Sequence, residues 1–293
     1  MRIAFIGKFE NLYDEEYIAL SFEKLGHELL RLNDNLTLTR IIEEVDAWHP
    51  DILLFCKYEP YEGGPTFYRE LMKRKIKSVC WIFDLYIGYP RQYRIYSASF
   101  FRADSVFTTD GGHDDVWAAH SINHKCVRQG IYEPECVLYP FNDPQGVAFV
   151  GSENALYPKR TEMIKAIRQR FSPFSWYGRK NTNELRGLAL NELYAKTKII
   201  IGDSVYSPHY WSNRVVETLG RGGFLIHQEV EGLKEAYPYL VTYKRGALDD
   251  LYAKIDYYLE HEEERQQIVR LNHQYVLDNY TMDKKCAELL SLI

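Results

Sequence analysis

From Tyr210 to Ile226 the chain reads Tyr-Trp-Ser-Asn-Arg-Val-Val-Glu-Thr-Leu-Gly-Arg-Gly-Gly-Phe-Leu-Ile, and its polar members have types and spacing suited to holding an anion. Ser212 or Asn213 can cap a helix there, whose free N–H groups and dipole favour a phosphate. Arg214 falls in the first turn, where its fork can hold a diphosphate bidentately. Glu217 lies about one turn further on the same face, and a carboxylate there can accept hydrogen bonds from adjacent ribose hydroxyls. Gly220, Gly222 and Gly223 end the helix and turn the chain into the next strand. The plainer alternative is an Arg214–Glu217 surface pair at i,i+3.

The first half offers candidates for proton transfer. Asp84 stands at the carboxyl end of the apolar run Trp81-Ile82-Phe83, the edge at which open α/β sheets bind ligands. Thr109-Asp110-Gly111-Gly112-His113-Asp114-Asp115 follows another apolar run in the same way. His113 is a candidate general base tuned by Asp110 or Asp114. The structural alternative is a capping loop, with Asp114 as N-cap of a helix containing Val116 and Trp117. His120, His124 and Cys126 would suit a metal only if their segment were helical, and no completing ligand is evident; the expectation is no metal. Gly7 is a glycine tip without G-x-G-x-x-G. Lys73-Arg74-Lys75-Ile76-Lys77 reads as a solvated helix end or, less simply, a patch for an anionic acceptor.

These residues need a scaffold, and the apolar pattern supplies one. Strand runs at 2–7, 27–32, 52–56, 78–83 and 103–108 alternate with helical patterns at 15–25, 38–48 and 67–75. Past a Pro-rich break at 138–144 the alternation resumes, with strands at 146–151, 176–178, 198–202 and 224–227. Helical patterns here cover 159–171, 183–195, 213–221, 249–260 and 262–279. Such alternation predicts parallel sheets covered on both faces. Ile3-Ala4-Phe5-Ile6-Gly7 and Val147-Ala148-Phe149-Val150-Gly151 head the two halves alike, each followed by a polar loop and a helix. The expected division is 1–143 and 144–293, with room for the last helix to pack back on the N-terminal domain.

The 293 residues carry a net charge of −5, which lends no support to a duplex-DNA binder. Five cysteines, odd in number and without C-x-x-C, suit reduced thiols in the cytoplasm. No run approaches the roughly 18 apolar residues of a membrane span, and the N-terminus lacks the form of a signal peptide.

The segment from Ser212 to about Leu290, with Glu231-Gly232-Leu233, Tyr239 to Tyr243 and Glu262 to Arg265, resembles the C-terminal domain of GT-B glycosyltransferases of the group 1 and spore-maturation types. The resemblance implies an α/β fold of two Rossmann-like domains facing each other across a cleft, the N-terminal one for acceptor and the C-terminal one for a nucleotide-sugar donor. It implies a metal-independent transferase without a further cofactor, using a UDP-sugar by default. Glu217 would bind the ribose and the start of its helix the diphosphate. Gly151, Lys159, Arg160, Tyr177 and Gly178 fall where those families surround the nucleotide. Many retaining members carry a glutamate eight residues before the ribose one; here that position is His209, free to contact sugar or phosphate or to have no role. No Asp-x-Asp occurs. The acceptor stays open among a glycan, a lipid-linked sugar, a protein and modified DNA. A sugar-nucleotide epimerase on this fold, or a non-catalytic nucleotide-sugar binder, are the rival readings.

Overall fold

The computed structural model describes residues 1–60, 63–140, 143–152, 157, 159–178 and 185–293. Contacts group the chain into two units, Met1–Gln129 with Met282–Ile293, and Gly130–Thr281.

In the first unit, β1 (Arg2–Gly7), α1 (Asp14–Lys24), β2 (Glu28–Asn33), α2 (Leu38–Trp48), β3 (Ile52–Phe55), α3 (Gly64–Arg74) and β4 (Lys77–Ile82) alternate as expected. A run of short helical turns that includes α4 (Arg94–Ser97) leads to β5 (Ser105–Thr108), α5 (Asp114–Ala119) and β6 (His124–Cys126). The six strands lie in the order β2-β1-β3-β4-β5-β6, all parallel. Ile3, Ala4, Phe5 and Ile6 are wholly buried, as are Leu53, Leu54 and Phe55. Continuous apolar strands of this kind are covered on both faces.

The second unit holds β7 (Gln145–Val150), α6 (Arg160–Arg170), β8 (Phe174–Tyr177), α7 (Leu188–Lys196), β9 (Thr197–Gly202), α8 (Arg214–Gly220) and β10 (Leu225–Gln228). It continues through α9 (Leu233–Ala236), β11 (Val241–Tyr243), α10 (Leu248–Glu260) and α11 (Glu262–Asn279), and α12 (Met282–Ser291) returns to pack on α1 of the first unit. Its five parallel strands run β11-β10-β9-β7-β8. The chain goes from β7 to β8 on one side and then crosses to β9 on the other, so strand order reverses between β7 and β9. At such a reversal the flanking loops diverge and leave a crevice at the carboxyl ends of the strands.

Residues ahead of the Pro-rich break are bonded into the second unit. Asn191 Nδ2 donates to the carbonyls of Glu135 (2.8 Å) and Val137 (3.0 Å), and Ile131 bridges to Thr281. His124 and Cys126 lie on a strand and His120 caps the C-terminus of α5, so the helical spacing that a metal site required is not formed. α7 begins at Leu188, whereas its expected start at Asn183 lies outside the described residues. Among the described residues no helix is long and apolar enough to cross a membrane.

Candidate active site

The crevice between β7 and β9 is real in the second unit: a cavity of about 180 Å³ lined by Gly151, Ser152, Asp203, Ser212, Arg214 and Thr218, among others. It suits a phosphate-sized group, being smaller than the roughly 300–1,000 Å³ pockets that enclose a whole ligand. Gly151 is needed here because a Cβ would lie 2.8 Å from the Phe149 ring. Its N–H is taken by the Tyr177 carbonyl (2.9 Å), so it offers close approach rather than a donor. At Gly178, φ +81°, a Cβ would come within 3.2 Å of the Gly151 backbone.

Two polar groups of the crevice are uncommitted. Arg214 makes no ion pair among the described residues, and the Ser212 hydroxyl oxygen is buried with no partner among them. An orphaned buried hydroxyl calls for a ligand or water to satisfy it. A hydrogen-bonded chain holds Ser212 in place. His227, fully buried, donates from Nδ1 to the Gln228 carbonyl (2.7 Å), which leaves Nε2 to accept from the Ser204 hydroxyl (3.3 Å). Ser204 Oγ in turn accepts from the Ser212 N–H (3.2 Å). Burial pushes the His227 pKa down, keeping the ring in the neutral form this chain requires. α8 itself is seven residues long and has no side-chain cap, so neither Ser212 nor Asn213 caps it; the two stand at the crevice edge instead.

Arg160 reaches the same crevice but is already neutralised. Its fork meets Asp203 bidentately (Nε–Oδ2 2.9 Å, Nη2–Oδ1 2.7 Å), Nη1 donates to the Ser152 carbonyl (2.6 Å), and the Tyr157 ring lies 3.2 Å beneath it. It braces the loop after β7 against the loop after β9. Lys159 next to it is exposed. Tyr177 lines a separate depression of about 390 Å³ beside α7.

Glu217 is half-buried and paired, though not with Arg214. Its Oε2 accepts from Arg221 Nε (3.0 Å), one turn along α8. Arg221, only 3 % exposed, also pairs with Glu135 and donates to Asn191 Oδ1 (2.8 Å) and the Gly187 carbonyl (3.0 Å). A buried guanidinium thus fixes one oxygen of Glu217, and the other has no partner among the described residues. His209, at φ +50°, pairs with Glu231 (Nε2–Oε1 3.3 Å), and its ring packs so closely on Gly232 that no Cβ would fit there.

In the first unit Asp110 and His113 meet. Asp110 is wholly buried, and its carboxylate lies 2.8 and 3.0 Å from His113 Nδ1 while accepting the Gly112 N–H (3.1 Å). That orients the ring with Nδ1 bound and Nε2 turned away, the arrangement of a general base. Asp114, the other expected tuner, lies beside His124 Nδ1 instead (3.3 Å), and the N-cap of α5 is His113 itself. Asp84 is held by Lys57 (2.5 Å) and Arg91 (3.1 Å). Burial pushes its pKa up, but these two cations more than offset it and hold the carboxyl below its usual range. A carboxylate so neutralised is a weak base. Asp203, Ser204, His227, Arg221 and Glu135 escaped the sequence reading. Only Asp203 carried a signal, an acid just past an apolar strand, the same feature that marked Asp84.

Residues 158–291, somewhat under half of the chain, match the model of a family described as glycosyl transferase-like. No curated protein matches in sequence. Among solved structures, Anabaena HepE in complex with UDP-glucose is 10% identical with a TM-score of 0.72, covering 100% of both chains. Sucrose-phosphate synthase of Thermosynechococcus elongatus is 9% identical at 0.68, over 99% of this chain and 98% of that one. UDP-GlcNAc 2-epimerase of Methanocaldococcus jannaschii is 11% identical at 0.53, over 92% and 99%. Likenesses this distant speak for the fold. Residues 158–291 thus carry a glycosyl transferase-like sequence, on the two-unit α/β architecture of the GT-B glycosyltransferases.

Proposed function

We propose that the chain transfers a sugar from a nucleoside diphosphate sugar, a UDP-sugar in the first instance, to an acceptor hydroxyl. The observation that carries this proposal is the crevice at the β7–β9 reversal, a phosphate-sized space lined by Arg214, without an ion pair among the described residues, and by Ser212, whose buried hydroxyl has no partner among them. Catalysis then consists largely of stabilising the diphosphate as it leaves. Groups already fixed in place do this best, because they need not reorganise when charge develops. Arg214 supplies bidentate donors, Ser212 a hydroxyl, and Arg160 and Asp203 rigid walls. Glu217, with one oxygen clamped by Arg221, grips the attached pentose with the other. His113, oriented by Asp110, takes the proton of the acceptor hydroxyl, with Asp84 as the secondary candidate. Lys159, exposed beside the crevice loop, contributes long-range attraction for the donor's charge, and Asn213, Gly151, Gly178 and His209 border the donor, with Tyr177 supporting Gly151 through its carbonyl.

Arg214 brings the charge that a divalent ion would otherwise supply, so the transfer is proposed to be metal-independent, and EDTA should leave it unchanged. Support for a uridine donor comes from HepE, which is solved with UDP-glucose. Support for a cytoplasmic location comes from the five cysteines, all free thiols. The spore-maturation subtype rests on the Glu231-Gly232-Leu233 segment after β10.

The test is incubation with UDP-sugars and a panel of glycan, lipid-linked, peptide and modified-DNA acceptors, with UDP release and product mass as readouts. Acceptor-dependent release of UDP with a glycosylated product is expected. An isomerised sugar formed without acceptor would make the chain an epimerase, and tight donor binding with no turnover would make it a binding protein.

A further inference from the structure

Thr108 and His124 have no part in the proposal above, yet they converge on the loop that carries the candidate base. Thr108 ends β5 and is wholly buried. Its Oγ1 accepts the backbone N–H of Asp110 (3.0 Å) and lies 2.7 Å from His124 Nε2. The imidazole of His124 stacks on Trp117 of α5, 4.7 Å between centroids and 19° from parallel. Its Nδ1 is 3.3 Å from Asp114 Oδ1, off the line of a good hydrogen bond but close enough for the carboxylate to favour an Nδ1–H. With the proton on Nδ1, Nε2 is an acceptor, and the Thr108 hydroxyl donates to it at 2.7 Å in preference to the Asp110 carbonyl at 3.5 Å. The lone pairs of Thr108 are then left for the Asp110 N–H.

The result is a hydrogen-bonded chain from His124 through Thr108 to Asp110, and from the Asp110 carboxylate to His113, with Asp114 set against its far end by charge alone. Both ends lie at the start of α5, where His113 and Asp114 are adjacent. Burial pushes the His124 pKa down, against the pull of Asp110 and Asp114, which keeps the ring in the neutral form that can accept. We propose that Thr108 and His124 are positioning residues for the Asp110–His113 pair: they pin the backbone of Asp110 so that its buried carboxylate fixes the proton of His113 on Nδ1 and leaves Nε2 free to accept. This rests on the assignment of His113 as the base, but the alignment is measurable without any turnover.

The experiment uses the full-length 15N-labelled chain. Long-range 1H–15N spectra at a pH where His113 is neutral report which ring nitrogen carries the proton. The wild type and Thr108→Ser should show the Nδ1–H form. Thr108→Val and His124→Phe, the latter keeping the stack on Trp117, should lower the ratio of Nδ1–H to Nε2–H about tenfold, the equivalent of one hydrogen bond. In parallel, kcat for UDP release from UDP-glucose should fall in these two variants at unchanged KM and recover in Thr108→Ser. If Thr108→Val does not fold, His124→Phe decides by the same spectrum. A folded His124→Phe with the wild-type tautomer overturns the positioning role. A tautomer shift with unchanged turnover upholds it and removes His113 from the reaction instead.

Discussion

Replacing Arg214 with alanine separates a ligand-holding cation from a structural one. Among the described residues Arg214 has no ion pair, and it lines the crevice at the β7–β9 reversal. Its removal leaves no described carboxylate stranded, so folding stability should change by no more than about 0.5 kcal/mol, the range of a substitution without a structural partner. Its contacts to a diphosphate would be charge-assisted hydrogen bonds, whose loss costs about 1.5–3 kcal/mol. That corresponds to UDP binding weakened about ten- to a hundred-and-fifty-fold. Uridine, lacking phosphate, should bind equally to both proteins. Arg214→Lys should recover only part of the loss, because a point-like ammonium cannot bridge two phosphate oxygens as a planar fork does. Isothermal titration with UDP and with uridine at one fixed ionic strength, beside thermal melts, measures all of this. A UDP affinity within about threefold of wild type, far short of that loss, would overturn this role for Arg214. So would an equal loss for uridine, or a marked fall in melting temperature.

Arg160→Ala should behave in the opposite way: it leaves Asp203 buried and unpaired, at a cost of about 3–5 kcal/mol, read as a lower denaturant midpoint, with little left of the crevice to bind UDP. Arg221→Met should destabilise the second unit by a similar route through Glu135 and Glu217, whereas Glu217→Gln should keep the fold and weaken binding of uridine more than of inorganic pyrophosphate, as calorimetry can compare. His227 has its pKa pushed down by burial. The unfolded chain therefore takes up its proton first, so stability is full above about pH 6.5 and falls as pH drops below it; denaturant melts at pH 7.5 and 5.5 should show a smaller loss for His227→Gln than for the wild type. His113→Ala should lower kcat for UDP release while leaving UDP affinity and melting temperature near wild type; an unchanged kcat would remove His113 from the chemistry.

How legible the site was in the sequence depended on how local each contact is. The anion-binding character of Ser212 and Arg214 could be read because neighbouring residues at a strand–helix junction act on one small space. The mutual alignment of Asp110 and His113 was readable for the same reason, being three residues apart. Which of two nearby acids served His113 was not, because Asp114 lies beside His124, which reaches it from β6, ten residues along the chain. Arg160 and Arg214 looked interchangeable as phosphate ligands. The difference arises from Asp203, 43 residues from Arg160, which pairs with Arg160 and leaves Arg214 without an ion pair among the described residues.

The alternation of buried strands and amphipathic helices, and with it two parallel sheets, is written along the chain. Burying an apolar run on both faces, or one stripe of a helix, is a local demand that period and composition express directly. Strand order, and hence where the crevice opens, came from folding, as did which of several similar cations and acids stay unpaired among the described residues. Hydrogen bonds and charges saturate: once Glu135, Asn191 and Glu217 converge on Arg221, or Asp203 on Arg160, those groups are spent. That pairing across tens of residues is set by folding and by nothing that spacing along the chain can express.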